Sequence, residues 1–235
     1  EMIDMVTTPD GSPVAMVHCN NCTSDLNAWV NLFKEYQELL GIPVDMNEVF
    51  GKLYNHALKG DADCGGLMAY NYISGEPVTG LADGRPLFMR SAKSKFNLAN
   101  FMRANLYASV GVLKIGNDIL FNDEKVKVDR ITGHGGLFKT PGVGQRILAA
   151  AINSPISVME TAGEGGAWGI ALLAGYLVNN KSKMNLADYL DKKVFAGNTG
   201  VEIAPTKEDV EGFNEYIKEY QNCLPVEQEA VKLKK

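Results

Sequence analysis

One stretch constrains this chain more than any other. It runs from Val128 to Leu177 and reads VDRITGHGGLFKTPGVGQRILAAAINSPISVMETAGEGGAWGIALLAGYL. A β-branched run, Val128 to Thr132, meets a cluster of glycines, and the apolar positions then recur at helical spacing. The pattern repeats at once as a short strand, a second glycine cluster and a second apolar helix. Two strand-to-helix turns in succession predict an α/β unit and set aside an all-helical or all-β chain.

Glycines at such turns let backbone N–H groups come close to a ligand, and a helix N-terminus that follows favours phosphate. Nucleotide binding is therefore the first hypothesis. The familiar phosphate motifs do not fit. Lys139-Thr140 could end a P-loop, but Phe138 stands where that loop needs Gly. Gly133 and Gly135 lack the third glycine of a dinucleotide fingerprint, because Phe138 occupies its place. Gly163 and Gly165 lack it too, since Trp168 stands there. On spacing alone, a nucleotide site and ordinary tight α/β turns both fit.

Composition narrows the class of ligand. A net charge of −5 and a pI near 5.3 argue against nucleic acid or an anionic membrane held by a broad basic face. The longest apolar run, Trp168 to Val178, falls short of the roughly 20 residues that a membrane span needs. Cys19, Cys22, Cys64 and Cys223 are too few and scattered for a disulfide scaffold, which fits a reducing cytoplasm. His18 beside the Cys19-x-x-Cys22 pair suggests a metal, but no second pair follows to complete four ligands. These residues are read as packing between a strand and a helix, and no metal site is expected. With 46% hydrophobic residues among 235, the chain can bury one large core. No repeat or low-complexity linker divides it.

In chain order, Pro9-Asp10-Gly11-Ser12 predicts a hairpin between Glu1–Thr8 and Val14–His18. A start in mid-strand without Met suggests a piece of something longer. Thr23 or Ser24 caps a helix with Leu26, Trp29, Val30, Phe33 and Tyr36 on one face, ended by Gly41 and Pro43. Asp45 and Glu48 form a capping box for a second helix that closes near Gly60, with His56 on its polar side. Gly66 to Ile73 is a buried strand leading to a Gly- and Pro-rich loop, and Leu98 to about Phe121 is a long helix. Lys181 to Thr199 and Pro205 to Leu224 read as outer helices, the latter capped by Thr206 and carrying Phe213, Tyr216, Ile217 and Tyr220.

The order DRITGHGG, QRILAAAINSPI, GEGGAWGIALLAG resembles the carboxyl-terminal domain of the FGGY carbohydrate kinases, with xylulose kinases the best match in kind. Ala167, Gly169, Ala171 and Ala174 fall on that family's small-residue helix. Asn71-Tyr72-Ile73-Ser74-Gly75-Glu76 resembles its P-Y-L-S-G-E stretch, with Pro77 in place of the usual Arg. Met102-Arg103-Ala104 resembles the opening of the corresponding helix, with Tyr107 where relatives place Glu. His134, Arg146 and Ala150 stand where Gly, Gln and Asp are usual. Arg103 is read as facing the cleft or as a solvated helix residue.

The resemblance implies an α/β, ribonuclease H-like domain of the actin/hexokinase type with added helices, spanning 1–235, its outer helical extension beginning near 181. It implies nucleotide contacts at Gly133, Gly135 and Gly136, with ATP and Mg as cofactors. The reaction implied is transfer of the ATP γ-phosphate to a hydroxyl of a ketopentose or related sugar, xylulose favoured. The sugar would be bound mainly by an amino-terminal domain that also carries the catalytic Asp and a phosphate loop, so these residues alone would be inactive. No catalytic residue is assigned here, and Glu164 is read as a helix-start residue. The expected setting is cytoplasmic, without nucleic acid or membrane, with a homodimer as one possible assembly. A different class also fits: an actin-like module that has lost turnover and binds nucleotide or a partner.

Overall fold

The computed structural model describes residues 3–160, 165–180, 183–197 and 200–233. The chain opens with the expected hairpin, in which β1 (Asp4–Thr7) pairs antiparallel with β2 (Pro13–Met16), Thr7 facing Pro13. Its turn closes because the Ser12 N–H donates to Thr8 Oγ1 at 3.0 Å, Gly11 supplying the positive φ of 88°.

Helix α1 (Ser24–Leu39) buries Leu26 and Val30 and sets Trp29 edge-on to Phe101, ring centroids 5.0 Å apart. Its apolar face stops at Phe33, and Tyr36 is 61% exposed. Helix α2 (Met46–Ala57) starts with Asp45 accepting the Asn47 N–H at 2.9 Å. Glu48 pairs with Lys52 at 2.5 Å, so only half of the expected capping box is observed. Next come β3 (Leu67–Tyr70), buried at every residue, and its antiparallel partner β4 (Leu87–Arg90).

Helix α3 (Leu98–Asp118) is the axis of the core. Fifteen of its residues are buried, from Ala99 to Gly116, because α2, β3 and α4 pack on different sides of it. It ends in a π-helical turn, Ile119–Asp123, so the expected extent to about Phe121 is met with a change of winding.

The central stretch folds in the expected order. Strand β5 (Ile131–Gly133) leads to the glycine turn, then α4 (Val143–Ile152), β6 (Ile156–Val158) and α5 (Gly165–Asn179). β5 and β6 are parallel, Ile131 facing Ile156. Pairing begins at Ile131 rather than Val128, and α4 begins two residues beyond Pro141. A strand not expected from the sequence, β7 (Val201–Ile203), joins β6 antiparallel. The mixed α/β class is thus observed. Among the described residues its strands form two hairpins and one three-stranded sheet.

Among the described residues, the segment expected to be helical from 181 to 199 contains the short α6 (Leu186–Tyr189), continued by a π-helical turn. Helix α7 (Lys207–Asn222) is as expected: Thr206 accepts the Asp209 N–H at 3.1 Å, and Phe213, Tyr216, Ile217 and Tyr220 are buried. The Tyr216 hydroxyl reaches the carbonyls of Ala69 and Ala104, each at 3.2 Å, tying α7 to β3 and α3. A last helix, α8 (Leu224–Ala230), follows. No described helix is long and apolar enough to cross a membrane.

Candidate functional site

Strand β5 delivers the chain to Gly133, and the backbone then turns through Gly135 at φ 105°, a conformation that suits glycine alone. A short 3₁₀ turn, Gly136–Phe138, follows. The three candidate glycines do different things. A Cβ on Gly133 would lie 2.5 Å from Cε1 of Phe138, so this buried glycine seats that ring. At Gly135 and Gly136 a Cβ would meet nothing within 4 Å, and both residues line a cavity of about 570 Å³. The second glycine cluster approaches the first, since a Cβ on Gly165 would come within 3.2 Å of His134 Nδ1. Glu164 lies outside the described residues.

The opposite wall of the cavity is built from Val17, at the end of β2, and the loop running from His18 to Thr23, with α3 contributing Ser109, Val110 and Leu113. Val17 sits there because α3 offers it a gap: a Cβ on Gly116 would lie 2.3 Å from Val17 Cγ1. The lining is mostly apolar, with His18, Thr23, Ser109 and His134 as polar groups, and among the described residues no Asp or Glu belongs to it. It can take a flat, partly apolar group against an open glycine backbone.

The His18–Thr23 loop owes its shape to Glu76, which is wholly buried. One carboxylate oxygen accepts the Asn20 N–H at 3.1 Å, and the other accepts the Asn21 N–H at 2.7 Å and the Asn21 side-chain amide at 3.0 Å. Asn20 Nδ2 donates back to the Gly75 carbonyl, while Asn21 Oδ1 accepts the Ile73 and Ser74 N–H groups. Asn71 Nδ2 donates to the carbonyls of Asn21 and Cys22. From sequence, the 18–22 loop stands out for His18 and the Cys19/Cys22 pair, and the 71–77 stretch for Pro77 in place of Arg; neither points to their contact through Glu76. The Asn-Asn pair between the cysteines was the overlooked signal.

Burial, with the Glu76 charge behind it, pushes the Cys19 thiol up to about 12. Crowding and the same carboxylate raise Cys22, although one edge of that residue is exposed. Both shifts favour the protonated thiol at neutral pH and work against nucleophilic thiolates here. Among the described residues no group of three or more His, Cys, Asp or Glu is placed to hold a metal ion.

Arg103 is neither at the cleft nor solvated, contrary to both readings from sequence. It is buried on α3, where Nη2 donates to Asp209 Oδ1 at 2.5 Å and Nη1 to the Gly60 carbonyl at 3.1 Å. Nε and Nη2 also reach the Tyr107 hydroxyl at 3.1 and 3.0 Å. Asp209 further accepts from Arg146 Nε at 2.6 Å and Thr206 Oγ1 at 2.8 Å. Burial alone would raise its carboxyl. The bonds from Arg146, Thr206 and Arg103 outweigh that and hold it below the ordinary value. Arg146 is thereby committed to α7, and Ala150 is buried in the core.

Comparison with known proteins agrees with this architecture. The model for the C-terminal domain of the FGGY family of carbohydrate kinases matches residues 2–178. The xylulose kinase of Rhodospirillum rubrum is 17% identical with a TM-score of 0.58, over 96% of this chain and 42% of that one. That of Bifidobacterium adolescentis is 15% identical, TM-score 0.59, over 93% and 38%. The glycerol kinase of Plasmodium falciparum, solved with ADP, is 18% identical, TM-score 0.57, over 83% and 37%. No curated protein sequence matches significantly. At these identities the likeness is one of fold, and the chain spans only about two fifths of the length of these kinases. The family match extends from the first hairpin through α5, and on that ground this chain belongs to the FGGY family of carbohydrate kinases, as its C-terminal domain.

Proposed function

We propose that this domain is the ATP-side half of a sugar kinase that transfers the γ-phosphate of ATP to a hydroxyl of a ketopentose or related sugar, xylulose foremost. One observation carries the reading: Gly135 and Gly136, free of any neighbour that a side chain would meet, border a roomy cavity at the carboxyl end of β5. Ligands of α/β units collect at such strand ends. The nucleotide's adenosine part lies against the main chain of Gly135 and Gly136, while Gly133 acts through Phe138, the ring it seats. His134 and Ser109 are within the same lining and can meet polar edges of the base or ribose.

Phosphoryl transfer depends on positioning and on a group that receives the hydroxyl proton. Among the described residues the cavity lining brings no carboxylate, and no base is assigned to this chain. Magnesium enters as part of Mg·ATP, held through the phosphates. The sugar and the base belong to an amino-terminal domain. The helices after residue 181 are an outer extension of one domain, and the setting is cytoplasmic.

Calorimetry of Mg·ADP binding tests the site. Gly135→Val places a branched side chain where the ligand approaches and adds strain at φ 105°, so affinity should fall at least about tenfold while the protein stays folded. Equal Kd values for wild type and variant would remove the assignment.

A further inference from the structure

Glu76 raises a question that the glycine turn does not answer. It is fully buried, and no ion pair to a cation accompanies its three N–H donors among the described residues. A buried charge is expensive unless its hydrogen bonds repay the lost hydration. The geometry uses both oxygens of the side chain as acceptors, and the two main-chain N–H groups of Asn20 and Asn21 approach one oxygen each. A neutral amide of the same shape could accept only one of them and would turn a donor toward the other.

What those two N–H groups fix is the far wall of the cavity. Asn20 and Asn21 form the middle of the loop whose neighbours His18, Cys19, Cys22 and Thr23 line it, opposite Gly135 and Gly136. The reciprocal bonds from Asn20 to the Gly75 carbonyl (2.8 Å) and from Asn21 to the Ser74 carbonyl (2.8 Å) make the contact a two-way lock. Gly75 allows the loop to close, since a Cβ there would lie 2.3 Å from the Ala82 carbonyl oxygen. We infer that Glu76 is a positioning residue of the nucleotide site: through Asn20 and Asn21 it sets the separation between the His18–Thr23 wall and the glycine turn. This rests on the nucleotide reading proposed above for that cavity.

The test uses the 235-residue chain as Glu76→Gln, Glu76→Asp and, as a control, Asp45→Ala, which removes the α2 cap away from the cavity. Three quantities are read: amide hydrogen exchange at Asn20 and Asn21, NMR methyl shifts of Val17 and Leu113 on the cavity wall, and Kd for Mg·ADP. Glu76→Gln should speed exchange about tenfold, move both sets of methyl signals and weaken ADP about tenfold. Glu76→Asp, with two acceptors on a shorter arm, should fall between and carries the test if the Gln variant does not fold. Asp45→Ala should lower Tm and leave all three readings alone. Faster exchange with unmoved methyl signals overturns the inference, as does weakened ADP binding by Asp45→Ala to the same extent. If wild type binds no ADP, the nucleotide reading fails, and the methyl signals decide whether Glu76 sets the wall.

Discussion

Arg103 and Asp209 are 106 residues apart in sequence and form one buried ion pair. Replacing Asp209 with Asn should cost about 3–5 kcal/mol in denaturant unfolding, because it leaves a buried guanidinium without its counter-charge. The same carboxyl gives the effect a pH signature. Its value is lowered in the folded chain, so its contribution is present above the ordinary 3.8 and is lost as pH falls through the lowered folded value. Wild type should therefore lose stability through that acid range, and Asp209→Asn should not show this component. Gly133→Ala should cost about 1–3 kcal/mol through the Phe138 ring, while Gly136, open to the cavity, accepts Ala with little loss. The sequence marked these glycines as one turn but could not separate the seat of a ring from an open approach. That difference depends on Phe138 folding back, as the place of Arg103 depends on a helix a hundred residues later.

Helices α3 and α5 show how differently two apolar helices can be used. α3 has neighbours on several sides and is buried along most of its length. α5 is apolar from Gly165 to Val178 yet has no buried residue, with Leu177 and Val178 about 80% exposed. Its amides should exchange with solvent at least about a hundredfold faster than those in the middle of α3, since local opening there releases no core. Equal protection, read by NMR or mass spectrometry, would show that α5 is packed in solution. Helix α8 carries a second test. Burial raises the Glu227 carboxyl, countered in part by the Arg85 main-chain N–H, and Oε2 has no hydrogen-bond partner among the described residues. A raised acid stabilises the fold below its unfolded value of 4.5 and ceases to do so as pH climbs through the folded value. Glu227→Gln should flatten that decline in urea titrations between acid and neutral pH. Most elements were legible because turn glycines and apolar faces agree with caps such as Asp45 and Thr206, which accept main-chain N–H bonds at helix starts, although the expected cap of α1 at Thr23 makes no such bond. β7 was not. Its three residues have no pattern of their own, and it exists through pairing with β6 and a bond from Gln145 Nε2 to the Val201 carbonyl at 2.8 Å.

At the scale of the whole molecule, α3 joins two tasks. One part of it carries the ion pair that holds α7, and Ser109, Val110 and Leu113 further along form part of the cavity wall. The helices beyond residue 181 therefore support the same scaffold that the glycine turn faces, although the family model ends at 178. The mixed α/β class was legible because glycine-rich strand ends and helical periodicity are local properties. The acceptor was not, because none of the lining identifies a sugar. From this follows an expectation for the chain alone. It should fold cooperatively, since its buried residues form one cluster reaching from Leu26 to Tyr220. It should bind Mg·ADP weakly at the glycine turn. It should not phosphorylate a sugar, because in-line transfer needs a base within hydrogen-bond reach of the hydroxyl and a second wall that excludes water, and the described residues lining the cavity beside Gly135 offer no carboxylate. A coupled assay of ADP release from the purified chain with xylulose, ribulose and glycerol measures this directly, with the expected result a rate equal to the sugar-free blank. Sugar-dependent turnover that disappears on changing an acidic residue within these 235 positions would instead place the catalytic base in this domain.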